Sequence, residues 1–296
     1  MNPNPALKKL GFAPNDRLVI LHMDDVGMCQ AAVQAYIDLW QAGTISSGAI
    51  MMPCPWAAAA AQYCRTRPGV DMGVHTTITA EWETYRWAPL STRDHASGLM
   101  DTDGFFPRTV EEIQSSGKPE AVYEELRLQV QRALDWGVDV THIDTHMGAV
   151  ASASFVPVYL RVAGEFKVPC MLPRPGALAR NHDKAVPMPS LGLEFISAQL
   201  EEDGLPMVDG LFDLPLDDPE NQLDLFKQLV AQLPAGITHF LMHPSADTPE
   251  LRAIAPDWPS RVANYDLFMQ QDIRSILKEA GVQLIGYRDL KAIIPE

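Results

Sequence analysis

The stretch that most constrains this chain runs from Arg17 to Ala31, Arg-Leu-Val-Ile-Leu-His-Met-Asp-Asp-Val-Gly-Met-Cys-Gln-Ala. Its apolar run, Leu18 to Leu21, reads as a buried strand that empties into two adjacent carboxylates, Asp24 and Asp25, followed by Gly27 and a helical pattern. Like charges side by side at the end of a buried strand are costly unless a cation or a shared proton compensates them. The pair therefore points to a metal ligand beside a titrating acid or base. The competing reading has one Asp capping the next helix and the other solvated. Three further strand-like runs end in histidine, Val70 to His75, Val140 to His146 and Ile237 to His243, and they shift the balance toward a site assembled from strand ends.

With 296 residues, 47% of them hydrophobic, the chain can bury one large core, and a single domain is the simpler expectation. Residues 1–16 are rich in Pro and Asn and are expected to lie loosely on the surface. A helix over Met28 to Ala42 stops at Gly43, and Thr44 to Met52 reads as a strand. An alanine-rich helix follows from Trp56 to Tyr63, then a third strand over Val70 to Thr76. This alternation predicts a parallel sheet with its functional loops at the carboxyl ends of the strands. The connection Ile78 to Lys118 is long, aromatic and aperiodic, and reads as a lid. Pro119 to Asp135 is an amphipathic helix closed by Gly137, Val138 to His146 a fourth strand, and Phe155 to Phe166 a helix, with a short strand reaching Arg174. Pro175 to Pro219 is punctuated by Pro and Gly and has no clear assignment. Beyond it come a helix over Asn221 to Leu233, a strand over Gly236 to Met242, a long helix over Arg261 to Ala280 and a last strand over Val282 to Tyr287.

The 38 acidic against 23 basic residues give a net charge of −15, which argues against nucleic acid and anionic membrane as partners and leaves a small neutral or cationic ligand. Met1 to Asp16 lacks the apolar core of a secretory signal, and no run approaches the ~20 apolar residues of a membrane span, so a cytoplasmic location is expected. Four cysteines without a C-x-x-C pair indicate neither a zinc knuckle nor a disulfide framework. A homo-oligomer is compatible with these features.

In Val140 to His146, a helical reading would put His142 and His146 on one face, but the preceding Gly137-Val-Asp-Val favours a strand. In a strand, His142, Asp144 and His146 share a face, and the two histidines start roughly 13 Å apart at ~3.3 Å per residue, too far to bind one ion easily. Since sites in parallel barrels lie at the carboxyl end, His146 is the better ligand, with Asp144 or His142 deeper as an orienting partner. The same parity separates His239 from His243, which precedes Pro244 at the strand mouth.

Four motifs in order, Asp24-Asp25-Val26-Gly27, Gly73-Val74-His75, His142-Ile143-Asp144-Thr145-His146 and His243-Pro244, resemble the YdjC-like (ChbG/HpnK) carbohydrate deacetylases over roughly residues 17 to 290. The resemblance implies a single-domain, distorted (β/α) barrel of the α/β class, related to the polysaccharide deacetylases. It implies hydrolysis of an N-acetyl group on an amino sugar or oligosaccharide, with one divalent metal ion, Zn2+ or Mg2+, held by Asp25, His75 and His146. Asp24 would be the general base and His243 the general acid. The sequence departs from the family in His22-Met23 where Asn-Ala is usual, in Val26 where an aromatic is usual, and in Gly148 where a further histidine is usual.

Amide hydrolysis needs an activated water, a base to take its proton and an acid to protonate the leaving amine. Asp24, the metal and His243 fill those roles in this reading. Trp82, Tyr85 and Trp87 would offer apolar faces to a sugar ring, and Arg174 a polar contact. Two other readings stay open: another metal-dependent amide or phosphoester hydrolase on the same barrel, and a non-catalytic carbohydrate-binding protein.

Overall fold

The computed structural model describes residues 2–188 and 194–294. Helix α1 (Pro5–Leu10) leads into strand β1 (Arg17–Val26), after which helix and strand alternate through α2 (Gln30–Ala42), β2 (Ser47–Ile50), α3 (Ala57–Arg65) and β3 (Met72–Thr76). A long connection carrying α4 (Val110–Ser116) runs into α5 (Pro119–Asp135), β4 (Val140–Thr145) and α6 (Val156–Phe166). Next come β5 (Pro173–Asn181), β6 (Lys184–Pro187), α7 (Glu194–Glu202), β7 (Val208–Asp213), α8 (Gln222–Ala231) and β8 (Gly236–Met242). The chain then forms α9 (Pro249–Ile254), α10 (Trp258–Gln270), α11 (Ile273–Glu279), β9 (Val282–Leu284) and α12 (Tyr287–Lys291).

The strands form one sheet in the order β4-β3-β2-β1-β8-β7-β5-β6, with β9 added beside the start of β1. Every pairing is parallel except the β5–β6 hairpin. Parallel strands covered on both faces require continuous apolar sequence, and Leu18, Val19, Ile20 and Leu21 are all fully buried. The hydrogen-bonded path is open, with β4 at one end; a single parallel bridge between Ile143 and Cys170 links β4 to the segment that leads into β5. Pro169, Pro173 and Pro175 interrupt that segment, and each removes a backbone donor from any ladder there. The sheet is irregular at that seam.

Several expectations are corrected. The N-terminal segment is not loose: Asn4 caps α1 and donates to Met207 O and Asp209 Oδ2, and Leu7 is buried with Leu18, Ile20 and Ile237. The expected long helix from Arg261 to Ala280 is two helices, because Asp272 caps a new start by accepting from the Ser275 amide. The last strand ends at Leu284, and Tyr287 begins α12 instead. Within 175–219 the sheet continues through β5, β6 and β7, with residues 189–193 outside the described residues. The four cysteines are free and buried. No helix of the described residues is long and apolar enough to cross a membrane.

Candidate functional site

In a regular strand Asp24 and Asp25 would point to opposite faces of the sheet. The structure breaks that alternation: β1 pairs irregularly with β2 between Met23 and Val26, and Asp25 has φ 60°, in the left-handed region. Both carboxylates then face the carboxyl end of the sheet. Such a backbone costs of order 1–3 kcal/mol for a non-glycine residue and is held only where surrounding contacts over-determine it. Here the holding contact is the Arg261 guanidinium on α10, whose Nη1 lies 2.7 Å from Asp25 Oδ2 while Nε and Nη2 pair with Asp257. Gly27 follows with φ 88°, and a Cβ there would meet Ala57 Cα at 2.9 Å, so the chain can leave the strand this tightly only with glycine.

Asp25 Oδ1 is buried and has no hydrogen-bond partner among the described residues. Two imidazole nitrogens converge on it: His75 Nε2 at 3.5 Å, from β3, and His146 Nδ1 at 3.2 Å, from the turn after β4. The ligand atoms of Asp25, His75 and His146 all lie within 4.8 Å of one another. The opposite nitrogen of each ring faces a carboxylate: His75 Nδ1 is 2.8 Å from Asp144 Oδ1, and His146 Nε2 is 3.0 Å from Glu81 Oε2. A carboxylate behind each imidazole fixes its hydrogen on the outer nitrogen and turns the bare one inward. An orphaned carboxylate oxygen and two inward-facing nitrogens fit a divalent cation.

Without a cation, protons take its place. Burial opposes a charge on His75, but Asp144, Asp24 and Asp25 outweigh it and raise its pKa to about 9. His146 is raised to about 10, where Glu81 and Asp25 overcome the same burial. Burial would raise Asp25, yet Arg261 and His146 hold it well below the usual carboxylate range. Asp24 is lowered too, with His75 and His22 outweighing its burial. Its Oδ1 is 2.7 Å from His22 Nδ1, and its Oδ2 lies 3.8 Å from both His75 Nε2 and His243 Nε2. His243, after β8, is pushed below its ordinary value by burial, against the pull of Asp25 and Asp24.

Asp24, Asp25, His75, His146 and His243 therefore meet at one end of the sheet, and the orienting roles differ from the expectation. Asp144 orients His75 rather than His146, because β3 and β4 pair with His75 opposite Asp144. Among the described residues His142 makes no hydrogen bond to Asp25, His75 or His146; its Nε2 meets His22 Nε2 at 2.8 Å, one layer deeper. Arg174 is not brought to the site: it pairs with Asp209, near the amino-terminal start of β7, and with Glu201. Trp82 and Trp87 are 8% and 3% exposed, and the Trp87 indole donates to Thr79 O. Tyr85 donates to Met28 O. The two tryptophans pack inward: Arg261 lies 5.4 Å above the Trp82 ring, and Trp87 sits edge-on to His146 at 6.1 Å, while Tyr85 is half-buried.

Glu81 and Arg261 were not legible in the sequence. Glu81 lies in the aperiodic connection after β3, and Arg261 lies inside a helical pattern that looks like any amphipathic helix.

An Asp-His-His cluster flanked by a second carboxylate and a histidine, at the carboxyl end of a mostly parallel α/β sheet, is the donor arrangement of a divalent metal centre. Residues 18–279 match the family described as YdjC-like protein, and the chain belongs to that family. It is 34% identical over 275 residues to a protein of Thermus thermophilus named carbohydrate deacetylase, covering 92% of this chain and 94% of the relative. A carbohydrate deacetylase of Thermoanaerobacter pseudethanolicus is 22% identical over 275 residues, covering 93% and 100%. The fold is similar to that of an Enterococcus faecalis V583 protein whose name refers to cellobiose-phosphate cleavage, with a TM-score of 0.73 at 20% identity, covering 93% of this chain and 99% of that one.

Proposed function

We propose that this protein is a metal-dependent carbohydrate deacetylase that hydrolyses an N-acetyl group on an amino sugar or oligosaccharide. The observation that carries the reading is the buried, unpartnered Asp25 Oδ1 facing two imidazole nitrogens, with Asp24 and His243 alongside. Membership of a family with relatives named carbohydrate deacetylase supports the substrate class. A divalent cation bound by Asp25, His75 and His146 would supply Lewis acidity, lowering the pKa of a water and polarising the acetyl carbonyl. Two imidazoles beside one carboxylate favour a borderline ion such as Zn2+ over Mg2+, which prefers oxygen donors.

Asp24 is ionised and offers Oδ2 as the base, since Oδ1 is held by His22. His243 Nε2, 3.8 Å away, delivers a proton to the leaving amine. Its lowered pKa makes it a ready donor, and Asp24 is close enough to pass it the proton taken from water. Met147, 47% exposed beside His146, supplies an apolar edge for the sugar at the mouth. Arg261 is committed to Asp25 and Asp257, which favours an amide over a phosphoester.

Acetate release from a panel of N-acetylated sugars tests the reading. Asp24→Asn and His243→Gln are expected to keep the metal and the fold yet lose on the order of 10²-fold or more in kcat. A fully active pair of variants would contradict the assignment.

A further inference from the structure

Below the metal-site residues the barrel interior is polar, where branched aliphatic side chains ordinarily fill such a space. His22, His142 and Tyr287 are fully buried and His239 is nearly so. Two of these rings belong to one continuous line. His22 Nδ1 is 2.7 Å from Asp24 Oδ1, and His22 Nε2 is 2.8 Å from His142 Nε2. His142 Nδ1 is 3.0 Å from Thr141 Oγ1, which donates to Asp71 Oδ1 at 2.7 Å. Two glycines make room for it: a Cβ on Gly73 would fall 2.5 Å from the His142 ring, and one on Gly286 would fall 2.3 Å from Asp71 Oδ2.

Counting hydrogens gives the line a direction. Asp71 accepts from Ser47 Oγ, Thr141 Oγ1 and the Arg288 amide. A hydroxyl carries one hydrogen, so Thr141, having given it to Asp71, can only accept from His142, and His142 Nδ1 must be the donor. Burial and the neighbouring His22 keep His142 well below its ordinary pKa, so the ring is neutral and its Nε2 is bare. That nitrogen accepts from His22 Nε2–H. The other His22 nitrogen faces Asp24 Oδ1, and Asp144 Oδ2, 3.7 Å from His22 Nε2, adds a second carboxylate beside the ring. Burial leaves the Asp71 carboxyl raised overall, against the pull of the Arg288 amide, Thr141 and Ser47.

We propose that His22 is a positioning residue for Asp24, its ring held in place by a hydrogen-bond relay that starts at Asp71 and runs through Thr141 and His142. The proposal rests on Asp24 being the base: pinning Oδ1 leaves Oδ2 free to take a proton. A donor in place of the Asp71 carboxylate reverses every link. Thr141 then gives its hydrogen to His142 Nδ1, His142 carries its own on Nε2, and His22 Nε2 becomes the acceptor.

The test is NMR of the isotopically labelled histidine ring nitrogens in the metal-loaded protein, combined with kcat, KM and metal content. The wild type should show a hydrogen on His22 Nε2 and on His142 Nδ1. Asp71→Asn should move the His142 hydrogen to Nε2, strip Nε2–H from His22 and lower kcat about tenfold, with KM and metal content unchanged. Thr141→Val, which removes only the hydroxyl, should switch the same ring states if Asp71→Asn folds poorly. His22→Asn, which can still give one N–H to Asp24, should keep more activity than His22→Leu. A bare His22 Nε2 in the wild type, or ring states unchanged in the variants, overturns the relay. Predicted ring states with full kcat in Asp24→Asn would instead overturn the base assignment, and the positioning role with it.

Discussion

Glu81→Ala is expected to weaken metal binding without unfolding the protein. His146 faces Asp25 through Nδ1 and Glu81 through Nε2, at 3.2 and 3.0 Å. The ring can offer a bare Nδ1 to a cation only while its hydrogen stays on Nε2, and Glu81 is what keeps it there. A hydrogen bond to a charged group contributes about 1.5–3 kcal/mol. At about 1.4 kcal/mol per tenfold, that corresponds to roughly 10- to 150-fold in affinity. The Glu81 side chain is 21% exposed, so water replaces part of the lost contact, and a loss of roughly 10- to 30-fold is the expected outcome. Glu81→Gln retains a neutral acceptor and should lose only a few-fold, since charge-assisted bonds are about twice as strong as neutral ones. Titration of the metal-stripped protein by calorimetry, or competition with a chelator, reads both values. Wild-type affinity in Glu81→Ala would show that the His146 tautomer is set by something else and would refute this account of the site.

The pH dependence of the stripped protein follows from His75 and His146, raised to about 9 and 10 from 6.5. Their stabilisation is fully present below pH 6.5 and is lost as pH rises through 9 to 10; urea midpoints should fall across that window for stripped protein, and by much less for protein loaded with cation. Metal uptake at neutral pH should release protons, measurable as a buffer-dependent heat. Arg261→Leu leaves the buried Asp25 and the half-buried Asp257 without their cation and should cost about 3–5 kcal/mol in urea denaturation; no loss of stability would remove Arg261 as the group that holds the strained Asp25. Trp87→Ala should cost about 3–5 kcal/mol of stability because the ring is core. A stable variant with only a raised KM would restore Trp87 as a sugar platform.

Much of the site was legible because its residues stand where strand patterns end. Asp25, His75, His146 and His243 each follow an apolar run whose direction a parallel sheet makes common, so the residues at the carboxyl ends had to converge. What the pattern could not show is how two neighbouring aspartates face one way, since that depends on a left-handed Asp25 and on Arg261, 236 residues away. Period-2 alternation puts His142 deeper on the face of His146, but its partner is decided by the glycine at position 73, which lets the ring lie across β3 toward His22. Arg174 looked available because a lone arginine carries no sign of its partner; Asp209 and Glu201 came from elements in the unassigned stretch. For the aromatics of the long connection, aperiodic sequence carries no burial signal, so a sugar-facing ring and one packed under the loop look alike. The buried Glu125 carboxylate, which receives the amides of Leu90 and Ser91, shows how that connection is tied down onto α5.

The most direct measurement is acetate release from N-acetylated sugars by metal-stripped protein, followed as divalent cation is added back. The account predicts no activity in the stripped protein, restoration that saturates at one ion per chain, and no restoration in Asp25→Ala. Full activity in the stripped protein, or restoration in Asp25→Ala equal to wild type, would contradict it.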